Sequence, residues 1–245
     1  MATNDQRLSV REKLGYGLGD TAANFIFQTM VMFQLAFYTD TFGITAAAAG
    51  TLLMVVRVWD AVFDPIMGVI ADRTNTRWGK FRPWVLWTAV PFGIMGFLTF
   101  VTPDFSPSGK LIYAYVTYGL AMMAYSAINV PYGALLGVIS PQSEVRTKLS
   151  SYRFLGAFSG NMIVQGSLLF LVAHLGGGND RVGYPAAFAL YALLAAGLFF
   201  FTFSSTRERV RPPKQDSSLV TRKHKPFAPE TIRDVINEVM VAHDE

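Results

Sequence analysis

Between Arg57 and Pro65 the chain reads R-V-W-D-A-V-F-D-P, three charged residues inside the otherwise apolar run Ala46–Ile70. A helix needs about 20 apolar residues to cross a bilayer, so this run is long enough to span one. At about 100° per residue, Arg57, Asp60 and Asp64 fall within an arc of roughly 60° on one helix face. Each charge at mid-bilayer costs about 2.5–3.5 kcal/mol on insertion scales, so such residues face a bundle interior or a watery cavity. One arginine beside two aspartates leaves a net negative patch, suited to a sodium ion or a proton. The bland alternative is a self-satisfied Arg–Asp pair locking helices together. That alternative needs one carboxylate, and the second favours a cation site at Asp60 and Asp64.

Three more polar residues stand out in apolar surroundings: Asp20, Asn129 and Arg153. Tyr125 and Ser126 lie about one helical turn from Asn129. If the helices bundle, these groups converge on one cavity, where hydrogen-bonding groups and an aromatic face suit a hydroxylated ligand. Asn129 taken alone reads as interhelical glue.

The elements that must carry these residues are membrane helices. The chain of 245 residues is 51% hydrophobic and 16% charged, with a mean hydropathy of +0.32. Soluble domains carry about 25% charged residues, so the shortfall points to a membrane. Apolar spans are expected at about 15–38, 46–70, 83–101, 111–139, 151–175 and 184–205. Residues 1–14 form a cytoplasmic N-tail, 15–205 the six-helix bundle and 206–245 a cytoplasmic central-loop tail. A short amphipathic helix is expected over Pro229–Val241, with Ile232, Val235, Ile236 and Val239 on one stripe.

Charge orients the bundle. The two tails and the segments Asp72–Arg82 and Ser140–Ser150 hold 17 of the 21 Lys and Arg residues. The positive-inside rule then places both termini in the cytoplasm. Six spans also divide into two sets of three, the arrangement of an inverted repeat. There is no cysteine, and three scattered histidines have no ligand spacing. No nucleophile–base set, phosphate loop or metal-binding spacing supports an enzyme. The basic residues flank apolar spans rather than forming one patch, so nucleic acid is not expected as a partner.

Four stretches together resemble the glycoside–pentoside–hexuronide:cation symporters, the melibiose-permease-like branch of the major facilitator superfamily. They are L-G-Y-G-L-G-D at Leu14–Asp20, R-V-W-D-A-V-F-D-P at Arg57–Pro65, G-V-I-A-D-R-T-N-T-R-W-G-K-F-R-P at Gly68–Pro83 and N-V-P-Y-G at Asn129–Gly133. The resemblance runs from about Leu14 to Pro213. It implies an all-α membrane fold, with this chain as the N-terminal half, and cation-coupled sugar symport across the cytoplasmic membrane without a cofactor. By resemblance, Asp60 and Asp64 match the cation-site carboxylates and Ser126 the hydroxyl that completes that site. Asp20 and Arg153 match groups that hold sugar hydroxyls, and Tyr125 matches an aromatic of the same pocket. Asp72, Arg73 and Arg77 match the facilitator loop that caps helix ends and latches one conformation.

Two positions depart from the melibiose type. Asn129 stands where an acid is usual, and Gly133 stands where a tryptophan is usual, a stacking surface that Tyr132 or Trp59 partly replaces. These departures argue against melibiose and leave pentosides, other glycosides and glucuronides open. The expected partners are a glycoside or sugar, membrane lipid and a complementary C-terminal half, because members of the family have twelve spans. A lipid carrier of the same fold and a non-transporting assembly or sensor module are the competing readings.

Overall fold

A computed structural model of the chain describes residues 8–210; the amphipathic segment expected over Pro229–Val241 lies outside the described residues. Six long helices carry the structure: α1 (Val10–Ala36), α2 (Ala46–Arg73), α3 (Arg82–Thr99), α4 (Pro107–Ile139), α5 (Ser143–Gly176) and α6 (Asp180–Ser205). They fall where the six apolar spans were expected. Four of them (α2, α4, α5 and α6) are long and apolar enough by themselves to cross a membrane. The other two are diluted, α1 by Asp20, Asn24, Gln28 and Gln34 in its middle and α3 by opening on Arg82 within only 18 residues.

The helix starts follow local chemistry. Ser9, Thr45 and Ser106 accept hydrogen bonds from the backbone N–H groups of Glu12, Ala48 and Gly109, at 3.2, 3.3 and 3.3 Å. Each satisfies a donor that the first helical turn leaves without an intrahelical partner. Pro65, Pro91, Pro131 and Pro185 lie inside helices. Membrane helices tolerate such positions because neighbouring groups satisfy the freed carbonyls.

Several helix ends depart from the apolar limits. After Ala36 the chain continues as a π-helical turn, Phe37–Phe42, where a tight connection over Thr39–Thr45 was expected. That turn ends at Gly43, whose φ of 84° suits a residue without a side chain. α5 begins at Ser143 rather than near Ser151, so most of the charged connection Ser140–Ser150 is helix.

The helices pack as one connected bundle. α1 lies chiefly against α5 and α6, α3 against α4 and α6, and α2 against α4, whereas α1 and α2 barely touch. Aromatic rings fill one end: Phe100 lies 5.0 Å from both Phe37 and Phe188 and stacks on Tyr184 at 5.9 Å. α2 is the least enclosed element, with Met54, Val58, Val62 and Val69 more than half exposed. Apolar side chains on that scale belong against lipid or against another bundle.

Candidate functional site

The first polar cluster is built around α1. Its L-G-Y-G-L-G-D stretch alternates glycines because three neighbouring helices come close. A Cβ on Gly15 would lie 1.8 Å from the Ser205 hydroxyl of α6. On Gly17 it would lie 2.6 Å from the Tyr152 carbonyl of α5, and on Gly19 2.5 Å from the Tyr132 ring of α4. α5 reciprocates at Gly156, where a Cβ would stand 2.1 Å from the Gly17 carbonyl oxygen. Small residues of this kind let membrane helices approach backbone to backbone. Thr21 adds a hydrogen bond across the same seam, its hydroxyl donating to the Gly156 carbonyl at 2.9 Å.

This close contact sets Asp20 on Arg153. The Arg153 Nε donates to Asp20 Oδ2 at 2.6 Å and an Nη to Oδ1 at 3.3 Å. The side chains are 11% and 26% exposed, so the pair is largely desolvated while one edge remains open. The guanidinium lies over the rings of Tyr132 and Tyr16, 4.8 and 5.8 Å from their centroids. A guanidinium edge beside a carboxylate suits paired hydroxyls, one accepting and one donating.

The second cluster joins α2 to α4. The Ser126 hydroxyl donates to Asp60 Oδ1 at 2.6 Å, and Arg57 stands 3.9 Å from the other Asp60 oxygen. Asp60 is 13% exposed at its side chain and Ser126 is fully buried. Asp64 is half-buried a turn further along the same helix, with no hydrogen bond or ion pair among the described residues. Two carboxylates and a hydroxyl are oxygen donors of the kind hard cations prefer.

Tyr125 stands between the clusters. Its ring stacks on Phe27 of α1 at 4.2 Å and an 11° tilt, and the Arg57 guanidinium lies 5.2 Å from the Phe27 ring centroid. It is within electrostatic reach of Asp20 on one side and of Arg57, Asp60 and Asp64 on the other. Asn129 is half-buried without a side-chain partner among the described residues. A Cβ on Gly133 would meet nothing within 4 Å. Tyr132 does not take over a stacking role there, because it is buried against α1, whereas Trp59 is 49% exposed.

In the loop after α2, Asp72 pairs with Lys80 at 2.8 Å, Arg77 lies 4.6 Å from the Trp78 ring centroid and Arg73 is exposed. The N-terminus of α3 is capped from elsewhere. Glu208 accepts the backbone N–H groups of Lys80, Phe81 and Arg82 at 2.8, 2.7 and 2.9 Å. Gly79, at a φ of 116°, leaves the space which that carboxylate occupies. Arg209 then grips the buried Glu12 through both Nη atoms at 2.6 and 2.9 Å. Neither Glu12 nor Glu208 stands out in the sequence. The one visible hint is an acidic residue set among arginines directly after an apolar span.

A helical bundle with ionisable residues held at the depth of its apolar spans is the architecture of a membrane transporter. A family model described as MFS/sugar transport protein matches residues 15–237. The chain belongs to that family, a family of transporters rather than enzymes, and it is a multi-pass membrane protein. It is 45% identical over 212 residues to the inner membrane symporter YicJ of Escherichia coli, covering 86% of this chain and 46% of that protein. It is 46% identical over 216 residues to the putative glycoside/cation symporter YagG of the same organism, covering 88% and 47%. It is 38% identical over 211 residues to the isoprimeverose transporter of Lactiplantibacillus pentosus, covering 85% and 44%. The chain thus spans about half the length of the curated relatives it matches.

Proposed function

We propose that this chain supplies the N-terminal six helices of a cation-coupled glycoside symporter of the cytoplasmic membrane, with both termini facing the cytoplasm. A glycoside engages Asp20 and Arg153 through its hydroxyls, with Tyr125 and Asn129 beside it. The coupling ion, sodium in preference to a proton, is held by Asp60, Asp64 and Ser126. Asp72, Arg73 and Arg77 act on conformation from the loop between α2 and α3. A complementary bundle closes over the polar face.

The observation that carries this reading is the 2.6 Å hydrogen bond between Ser126 and Asp60, made in the middle of apolar helices beside a second carboxylate. A purely structural pair needs no second carboxylate, and a pure proton site needs no hydroxyl ligand. Relatives named for glycoside and cation symport and for isoprimeverose transport support the substrate class. In mechanism, a bound cation relieves repulsion between Asp60 and Asp64 and draws α4 to α2 through Ser126. Tyr125, the residue before Ser126, moves with it against Phe27, and so the glycoside side of α1 responds to the cation. Rocking of the two halves then alternates access to the site.

The test is glycoside accumulation in membrane vesicles under imposed sodium or proton gradients, in the complete transporter. Asp64→Asn is expected to remove cation stimulation while leaving some glycoside binding. If Asp60→Asn and Asp64→Asn both keep normal cation-driven accumulation, the charged face of α2 is structural and the reading falls.

A further inference from the structure

Tyr16 on α1 and Tyr132 on α4 make a reciprocal contact that the proposed roles above do not use. The Tyr16 phenol donates to the Tyr132 carbonyl at 3.3 Å, and the Tyr132 phenol donates to the Tyr16 carbonyl. Their ring centroids are 5.0 Å apart, and both side chains are almost wholly buried. α1 and α4 meet at few points, and this clasp joins the Phe27–Tyr125 stack in bridging the first helix of each three-helix set. It also adjoins the ion pair: the Tyr132 phenol is 3.4 Å from Asp20 Oδ2, the oxygen that Arg153 Nε grips, and both rings lie under the guanidinium.

We infer that Tyr16 and Tyr132 are positioning residues for the Asp20–Arg153 pair: their crossed hydrogen bonds and adjoining, mutually tilted rings fix where the open edge of the guanidinium stands. A buried phenol without a partner is costly, so the clasp closes in one register. Gly19 leaves room for it, because a Cβ there would strike the Tyr132 ring. The guanidinium gains a cation–π bed, which is strengthened where water is excluded. The consequence for ligands rests on the glycoside reading above: the clasp holds the pair ready for paired hydroxyls, so weakening it weakens binding without touching the ligand.

Two measurements on the full chain in nanodiscs separate the inference from the glycoside reading. The first is the rate of phenylglyoxal modification at Arg153, read by mass spectrometry, with Arg77 as internal reference. Tyr132→Phe keeps the ring and removes the phenol; it is expected to raise the Arg153 rate about fivefold, the worth of one hydrogen bond, with Arg77 unchanged. In an Asp20→Asn background, where the pair is already loosened, the same change is expected to add little. Tyr16→Phe gives an independent check should Tyr132→Phe fail to fold. An unchanged Arg153 rate in both folded variants, or an equal rise at Arg77, overturns the inference. The second measurement is isoprimeverose binding by calorimetry, expected to weaken by a similar factor in Tyr132→Phe. If the unsubstituted protein binds no glycoside, the ligand reading falls and the labelling rates alone judge the positioning role.

Discussion

The carboxylate of Asp20 and the guanidinium of Arg153 relieve each other of a desolvation cost that neither bears alone. Removing one partner of such a pair leaves an uncompensated charge among apolar side chains, whereas removing both leaves only lost contacts. Asp20→Ala and Arg153→Ala are therefore each expected to destabilise the folded chain by about 2–3 kcal/mol, discounted from a fully buried pair because one edge is wetted. The double variant is expected to lose less than the sum. Thermal unfolding in detergent, read as a double-mutant cycle, measures this; strict additivity would show that the two charges do not depend on each other. Ser126 poses a different question at the same scale. It gives Asp60 one hydrogen bond to a charged acceptor, a bond worth about 1.5–3 kcal/mol. Ser126→Ala is expected to lower the sodium affinity of the complete transporter about tenfold or more on that basis, and Ser126→Thr to restore most of it. Sodium dependence of uptake checks both, and an unaltered affinity in Ser126→Ala would remove the hydroxyl from the cation site.

At the scale of elements, the α1–α5 seam rests on glycines that admit no side chain. A methyl group at Gly156 would press against the Gly17 carbonyl at 2.1 Å, a backbone atom that cannot swing aside. Gly156→Ala is expected to cost about 1–3 kcal/mol, as overpacking does, and to part Asp20 from Arg153. Gly166→Ala on the same helix meets nothing within 4 Å and serves as the control. Equal melting temperatures for the two variants would disprove the seam. Such contacts also show what could be read from the chain alone. The helices were legible because long apolar runs are rare for any other reason, and the ions inside such runs stood out, but the pairing of Asp20 with Arg153 did not, because the two stand 133 residues apart. The ends of the helices were not legible: hydropathy marks lipid rather than helix, and Glu144, Arg146 and Lys148 continue α5 beyond the apolar span. The crossed tyrosines were hidden for another reason, since buried tyrosines in an apolar segment look like ordinary core or interface anchors. Glu208 was hidden by distance, standing 126 to 128 residues from the amides it caps.

For the whole molecule, the same capping ties the segment after α6 to three other elements. Glu208 holds the start of α3, Arg209 holds Glu12 of α1, and the backbone N–H groups of Arg209 and Val210 donate to the Val138 carbonyl of α4 at 2.8 and 2.9 Å. The exposed apolar side of α2 meanwhile has no cover among the described residues, and the matched relatives are about twice as long. On the proposed reading, vesicles holding this chain alone are expected not to accumulate a glycoside, and co-expression of a complementary six-helix half to restore gradient-driven uptake. Within the restored transporter, Glu208→Ala is expected to weaken the α3 cap by about 1 kcal/mol, typical of a lost N-cap. It should slow transport while leaving equilibrium glycoside affinity largely intact, because the cap lies in the loop region and not beside Asp20 or Asp60. Measuring initial uptake rate and binding affinity on the same preparation decides the matter. A loss of affinity matching the loss of rate would make Glu208 part of the general fold, and robust uptake by the chain alone would mean that two copies close over each other's polar faces.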